Sequence, residues 1–417
     1  MERSRARAGG QQPHNPPAIG IHRTGAAETR APRQQGLALA RLDRSGWRNL
    51  GAAGLGWFLL IAIGFTGWFV VVLPLRADPL ANDLTQVYIA VSIARDHGWS
   101  HIYSLVLQQD LFERLRPHAV WNDGAWFTPA PPYAWLVFPL TLLGAPGAVY
   151  SWLAISLLSL VAAWWVAAPG QGRARVLWLL GALAWYPVLY GLSLVQPGLV
   201  MTAIVAVAWR LGESRRPYLA GAVLGLSVIK PQLVLVLPVV LLTAGRWRIL
   251  LPWAAIGAAL ALLSVLALGS TGLQDYVATL AHQGQMANNR YFTLAYLTGP
   301  GPLGYVASGA VMAVAVVGAY LNRRASLARL FALGIVASTL AATYWHLQDF
   351  TILVLAAWLF WRDHPPAWQR ACLLVTVVGG EFAWGVTPLP VLIGVTLWLG
   401  FLVTPRVSQP ATAAATV

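Results

Sequence analysis

The chain has few charged residues and almost no cysteine, and each shortage excludes a class of protein. Charged residues make up 10% of its 417 residues and hydrophobic residues 58%, whereas a soluble domain carries roughly 25% charge. One cysteine, Cys372, excludes an internal disulfide framework and a metal site built from several cysteines. Long apolar runs and 21 tryptophans are present instead. This composition indicates a polytopic membrane protein.

Lysine is the scarcest cation, because only one of the 28 Lys and Arg residues is a lysine. Lys230 lies inside the apolar run 218–243, where a cation costs roughly 3 kcal/mol on insertion scales. It could snorkel to the interface from the end of a short helix, or it could face a polar cavity that receives an anionic ligand. Lys230→Met deletes the charge, so the sequence alone predicts easier insertion and normal stability for this variant.

The net charge of +14 does not indicate nucleic-acid binding, because the arginines form short clusters between apolar runs. This is the positive-inside pattern of membrane proteins. It predicts an all-α polytopic fold with about 12 transmembrane helices over residues 51–404. Residues 1–50 are predicted to be a disordered basic cytoplasmic tail that could contact anionic lipid, and residues 405–417 a second cytoplasmic tail.

Two loops are predicted on the outer face. The first, 76–146, contains six of the 14 acidic residues. Its apolar segment 131–144 is short for a span, and crossing would place Arg173 and Arg175 outside, so an interfacial helix is predicted. The second outer loop is 270–299.

Arginines flank 218–243 on the same predicted side of the membrane. The chain should therefore rise to Lys230–Pro231 and return as two short helices, because proline cannot donate to the helix and restricts the residue before it. Such a break is tolerated at membrane depth only beside protein or a water-filled cavity.

Unusual polar residues collect at the outer ends of the predicted helices. Carboxylates, amides, a histidine, a lysine and an arginine at one face indicate a cavity for a polar, partly anionic substrate. The candidate site residues are Asn82, Asp83, Gln196, Lys230, Gln232, Arg290, His346 and Asp349.

Each candidate also has a purely structural interpretation. Asp83 could cap the helix predicted after it, and Gln196 and Gln232 could bond backbone groups freed at the proline breaks. Arg290 could be an ordinary loop cation. His346 could be an interfacial aromatic residue and Asp349 a helix cap.

Neither a metal site nor a soluble nucleotide site is predicted. His346 and Asp349 have i, i+3 spacing, but no further histidine or carboxylate adjoins them. A glycine-rich phosphate loop is also missing from the sequence. An enzyme that uses an activated sugar would therefore have to take it from the membrane.

Several segments resemble the C-type glycosyltransferases, and more closely glycosyltransferase family 87, the bacterial polyprenyl-phosphate-mannose-dependent mannosyltransferases. The likeness runs from about residue 53 to 360. The Tyr-Pro-Pro of the family reads here as Ala130-Pro131-Pro132. The similar segments are NDLTQVYIAVSIARDHGWSHIYS (82–104), FTPAPPYAWLVFPLTLLG (127–144), GLSLVQPGLV (191–200), AGAVLGLSVIKPQLVLVLPVVLL (220–242) and HLQDFTILVL (346–355).

The resemblance implies a GT-C-like fold in the bacterial cytoplasmic membrane, with the active site on the periplasmic or extracellular side. Asp83 falls on the catalytic Asp of the family and would be the base of an inverting single displacement. Lys230, His346 and Arg290 would stabilise the leaving lipid phosphate. The implied partners are a polyprenyl-phosphate sugar donor, a glycolipid or glycan acceptor and membrane lipids, without nucleic acid, cofactor or metal. Mannose is the expected sugar, and arabinofuranose remains open.

Two other function classes compete with the transferase. A transporter or flippase of a lipid-linked sugar or phosphate should show paired breaks in two similar halves. Here the breaks at Pro197 and Pro231 lie in one half. A non-catalytic membrane scaffold would leave the depth of Lys230 unexplained.

Overall fold

The computed structural model describes residues 44–299 and 301–405 as helices joined by short loops, and no β-strand occurs in this part of the chain. The all-α prediction is therefore confirmed for these residues. One compact unit begins at Arg48. Most of the predicted tail 1–50, and 406–417 of the second tail, lie outside the described residues. The first helix begins at Arg44, earlier than the predicted start at residue 51.

The lysine break divides the helices into two sets. Before it are α1 Arg44–Gly67, α2 Leu73–Ala77, α3 Leu84–His97, α4 Leu105–Leu115, α5 Pro131–Val137, α6 Gly144–Ala167, α7 Gly172–Ala184, α8 Tyr186–Ser193, α9 Gly198–Glu213 and α10 Pro217–Gly225. After it are α11 Leu237–Thr243, α12 Trp247–Gln283, α13 Ala295–Thr298, α14 Pro302–Leu321, α15 Leu327–Ala341, α16 Leu353–Arg362, α17 Ala367–Phe382 and α18 Leu389–Val403. A π-helical stretch, Trp68–Val72, joins α1 to α2.

Four helical segments of the described chain are long and apolar enough to cross a membrane: Leu50–Ala77, Pro131–Ala167, Trp247–Gln283 and Pro302–Leu321. The pair α7 and α8, bent by 58°, gives a fifth if it is counted as one span. The predicted number of about 12 spans is therefore not established. Several apolar runs that suggested spans form helices shorter than 18 residues, such as Leu327–Ala341 and Leu389–Val403.

The predicted break at Lys230–Pro231 is present. Leu226–Ile229 forms a 3₁₀ turn after α10, and a second 3₁₀ turn, Pro231–Val234, begins directly after Lys230. Lys230 itself has φ −149° and ψ 71°, because the following proline disfavours the helical conformation. The apolar run thus forms two short helical arms that meet at the lysine.

Close backbone packing fixes α12 against its neighbours. A Cβ on Gly221 of α10 would lie 1.9 Å from the carbonyl oxygen of Ile249, and one on Gly272 of α12 would lie 2.6 Å from that of Ser100. Glycine is required at both approaches, and the approach of α10 to α12 at Gly221 is of the close kind that is common between membrane helices. α12 contains a non-helical residue, Gly269, and continues to Gln283. Residues 270–283, predicted as part of the second outer loop, are therefore helical.

α15 forms the centre of the core, since every residue from Ala328 to Ala341 is buried. Arg329, at 2% exposure, donates to Oδ1 of Asn322 at 3.0 Å, to Oδ2 of Asp363 at 3.0 Å and to the carbonyl oxygen of Phe401 at 2.8 Å. A buried cation with this set of acceptors is stable, and it ties one end of α15 to α18. The other end leads into Thr343–His346.

The segment 131–144 is helical but more buried than an interfacial helix predicts. α5 buries Pro131, Pro132 and Tyr133. Large apolar side chains are exposed at Leu136 of α5 and at Phe138, Leu142 and Leu143 of the following 3₁₀ turn. The segment therefore packs one side into the core, and its position relative to the membrane stays a prediction.

The predicted topology can be tested by cysteine labelling in a Cys372→Ala background. Val120 is 80% exposed and Arg173 is also exposed. On intact cells, an impermeant thiol reagent should label Val120→Cys, whereas Arg173→Cys should be labelled only after permeabilisation. Labelling of Arg173→Cys from outside would mean that 131–144 crosses the membrane.

Candidate active site

A cavity of about 650 Å³ lies where the first loop, the α8–α9 turn, the lysine break and the segment after α15 meet. Five of the eight predicted site residues line it: Asp83, Gln196, Lys230, Gln232 and His346. A sixth, Asp349, lies directly behind Lys230 and is completely buried.

Asp83 precedes α3, but it does not cap that helix. Its side chain makes no capping hydrogen bond, and the neighbouring Asn82 accepts from the backbone N–H of Leu84 at 3.1 Å instead. The backbone N–H of Asp83 donates to the carbonyl oxygen of Leu194 at 3.1 Å. The carboxylate is therefore free to line the cavity, and its backbone is fixed to the α8–α9 turn.

Burial raises the pKa of the Asp83 carboxyl above its usual value. The hydrogen bond from Gln196 and the charge of Lys230 lower it in part, and the charge of Asp349 raises it. A carboxyl that leaves water without full compensation holds its proton more tightly. A raised pKa of this kind is one that a general base can use.

Gln196 is presented by a strained turn. Val195 has a left-handed φ of 54°, which costs a β-branched residue on the order of 1–3 kcal/mol. The N–H of Gln196 donates to the carbonyl oxygen of Gly191 at 3.0 Å, which closes the end of α8. From this position the side-chain Nε2 donates to Oδ2 of Asp83.

Lys230 is held by two acceptors. Its Nζ donates to Oε1 of Gln196 at 2.8 Å and forms an ion pair with Oδ1 of Asp349 at 2.5 Å. Lys230 is 9% exposed. It therefore does not snorkel to an interface, and it faces the cavity as the alternative interpretation predicted.

His346 lines the cavity and is partly buried, and this burial lowers the pKa of its imidazole. Its Nε2 lies 2.8 Å from Oδ1 of Asn289, and its Nδ1 lies 3.4 Å from Nε2 of Gln348. An amide nitrogen only donates, so these partners place the proton on Nε2 of a neutral ring. The backbone N–H of His346 donates to Oδ2 of Asp349 at 3.1 Å. His346 thus holds this segment in place, and its implied role at the leaving phosphate stays a prediction.

Besides Asp349, two predicted residues are not in the cavity wall. Asn82 uses Nδ2 to donate to the carbonyl oxygen of Pro79 at 2.7 Å and Oδ1 to cap α3. Arg290 donates through Nη2 to the carbonyl oxygens of Gly284 at 3.0 Å and Gln285 at 2.8 Å. Both side chains thus bond carbonyl oxygens of their own local turns.

The cavity has further polar and aromatic wall residues that the sequence argument did not select. Gln86 was detectable in principle, since it lies three residues after Asp83 on α3 and therefore on the same face. Tyr133 and Tyr190 gave no separate signal among many interfacial aromatics. The wall residues missed in this way include Gln86, Asp123, Trp126, Tyr133, Tyr190, Tyr276, Gln283, Tyr344 and Trp384.

The first outer loop closes one side of the cavity. Gln86 Nε2 donates to the carbonyl oxygen of Gly124 at 2.6 Å, and Gln283 Nε2 donates to that of Asp123 at 3.0 Å. Tyr103 donates its hydroxyl to the carbonyl oxygen of Pro129 at 2.6 Å. These bonds hold the loop as part of the wall.

Lys230 is the only Lys or Arg in the described cavity wall. The residues from 44 to 299 and from 301 to 405 contain no group of three or more His, Cys, Asp or Glu side chains placed to hold a metal ion. That the reaction requires no metal stays a prediction. The described wall offers the carboxylates of Asp83 and Asp123, one cation that Asp349 compensates, and several amides.

Comparison with known proteins identifies the family. No curated protein and no solved structure matches the chain. Residues 127–388, more than half of the chain, match the model of glycosyltransferase family 87. That range contains Gln196, Lys230 and Asp349, whereas Asp83 precedes it. Together with its long apolar helices, this match shows that the chain is a membrane glycosyltransferase and belongs to glycosyltransferase family 87.

Proposed function

We propose that this glycosyltransferase moves a sugar, mannose in the first instance, from a polyprenyl monophosphate to a hydroxyl of a glycolipid or glycan. The reaction takes place at the outer face of the bacterial cytoplasmic membrane. Asp83 removes the proton from the acceptor hydroxyl while the hydroxyl oxygen attacks the anomeric carbon. The bond from that carbon to the phosphate oxygen breaks, and the lipid phosphate leaves with the electron pair.

One observation carries this proposal: a carboxyl with a raised pKa lines a large cavity beside the only cation of the described wall. An efficient general base must be ionised at the working pH and must still bind a proton well. No second carboxylate contacts Asp83 among the described residues, and a lone base suits direct displacement with inversion.

The donor phosphate is expected beside Lys230. Fixed dipoles and charges in a site that excludes water stabilise a developing negative charge more effectively than water does. Lys230 supplies the charge, and the amides of Gln196 and Gln232 line the same region. A membrane donor also agrees with the lack of a glycine-rich phosphate loop in the sequence.

The proposal can be tested with the whole protein in lipid nanodiscs. Radiolabelled polyprenyl-phosphate-mannose and a bacterial glycolipid extract should give a labelled lipid product, and a nucleotide-linked mannose should give none. The new linkage should have the anomeric configuration opposite to that of the donor. Transfer from the nucleotide-linked sugar, or retention of configuration, would contradict the proposal.

A further inference from the structure

The amide of Gln196 has its orientation set by its two neighbours. Lys230 Nζ can only donate hydrogen bonds, and an ionised Asp83 can only accept them. Oε1 of Gln196 must therefore face Lys230, at 2.8 Å, and Nε2 must face Oδ2 of Asp83. A flipped amide would place a donor against a donor and an acceptor against an acceptor.

We propose that Lys230 acts on Asp83 through Gln196, and that Asp349 is the fixed counter-ion that limits this effect. The proposal rests on the proposed role of Asp83 as the base. In addition to meeting the donor phosphate, Lys230 thus controls the ionisation of the base. Gln196 is the positioning residue that connects the two.

The first consequence of this arrangement is geometric. Gln196 occupies Oδ2 of Asp83, and the bond from the Asp83 N–H to Leu194 fixes the backbone on the same turn. Among the described residues, no hydrogen bond reaches Oδ1. Oδ1 is therefore the oxygen that receives the proton of the acceptor, and Gln196 prevents the carboxylate from rotating away from it.

The second consequence is electrostatic. Lys230 is compensated by Asp349 at 2.5 Å, so Asp83 experiences a cation and an anion that act in opposite directions on its pKa. The other titratable groups that interact with its charge are the phenols of Tyr133, Tyr190 and Tyr344. Phenols are neutral near pH 7, so the ion pair is the adjustable part of the site.

The inference predicts pKa shifts of opposite sign for Asp83. Gln196→Met removes the hydrogen bond and Lys230→Met removes the cation, so both should move the Asp83 titration to higher pH. Asp349→Asn removes only the anion, so it should move the titration to lower pH. If Asp349→Asn does not fold, the Lys230→Met/Asp349→Asn pair replaces it and should titrate below Lys230→Met alone.

The titration can be followed without any transferase assay. Infrared difference spectra of the protein in nanodiscs report the carbonyl band of protonated Asp83, which is identified by its loss in Asp83→Asn. The connection from Lys230 through Gln196 to Asp83 is called the relay below. Gln232→Met is the matched control, because Gln232 lines the same cavity on the other side of the break and is not part of the relay. It should leave the titration unchanged.

Kinetics then separate the inference from the proposed function. Gln196→Met should lower kcat by about 10–100-fold, which corresponds to the free energy of a hydrogen bond to a charged group. It should also move the acid limb of the pH profile of kcat to higher pH. The KM for the donor should change little. Unshifted infrared titrations in Gln196→Met and Lys230→Met, or shifts of the same sign in all three variants, would overturn the relay. Opposite infrared shifts without mannosyl transfer would retain the relay and reject the proposed function.

Discussion

Asp83→Asn should lower kcat for transfer from polyprenyl-phosphate-mannose by about 10²–10⁴-fold, the range in which a general base contributes. The substitution keeps the size of the side chain and removes its basicity. An asparagine can still present its carbonyl oxygen to Nε2 of Gln196, so the turn and the cavity should keep their shape. Donor binding, measured by equilibrium binding of labelled donor in nanodiscs, should therefore stay close to normal.

Asp110→Asn is the matched control for this experiment. Asp110 lies in the same outer loop, is exposed and pairs with Arg114, and it does not line the cavity. Its loss should leave kcat within the range of the unmodified enzyme. Near-normal turnover in purified Asp83→Asn would mean that another group takes the proton.

Lys230→Met should destabilise the folded protein by about 3–5 kcal/mol. The sequence alone predicted normal stability, because deletion of a membrane-buried charge helps insertion. The structure changes this expectation, because Lys230 forms an ion pair with Asp349, whose side chain is completely buried. Removal of one partner of a buried pair leaves the other charge without compensation, and this cost is typically of that size. Denaturant titration in mixed micelles measures the free energy of unfolding.

A double variant separates the lost pair from other effects of the substitution. Lys230→Met/Asp349→Asn removes both charges and keeps an acceptor for the N–H of His346, so it should recover most of the lost stability. Arg116→Met breaks a more exposed pair, with Asp78 at 2.8 Å, and should cost less than about 1 kcal/mol. A Lys230→Met protein no less stable than Arg116→Met would show that the buried pair does not support the fold.

Much of the polar site could be predicted from sequence because its members share one physical signal. Asp83, Gln196 and Lys230 each follow or interrupt an apolar run at the same predicted end of the helices. Polar groups at such positions need hydrogen-bond partners, and in the structure these three residues bond to one another. Arg290 and Asn82 had the same signal, but backbone carbonyls nearby satisfied them. Sequence position does not distinguish a cavity from a local turn.

The helices were also predictable, but their relation to the membrane was less so. Hydropathy locates apolar runs, and most of them became helices near the expected positions. It does not show whether a run is one long helix or is broken by local conformation, as at Gly269 and Trp185. The number of spans depends on these breaks.

The order of synthesis gives the lysine break a consequence for assembly in the cell. About 120 residues separate Lys230 from Asp349, so at roughly 5–20 residues per second the ammonium exists for about 6–24 s before its counter-ion is made. Gln196 precedes Lys230 by 34 residues and is already present. The amide oxygen of Gln196 is thus the first of the two acceptors of Lys230 to be synthesised, and it can bind the ammonium to the α8–α9 turn until Asp349 is made.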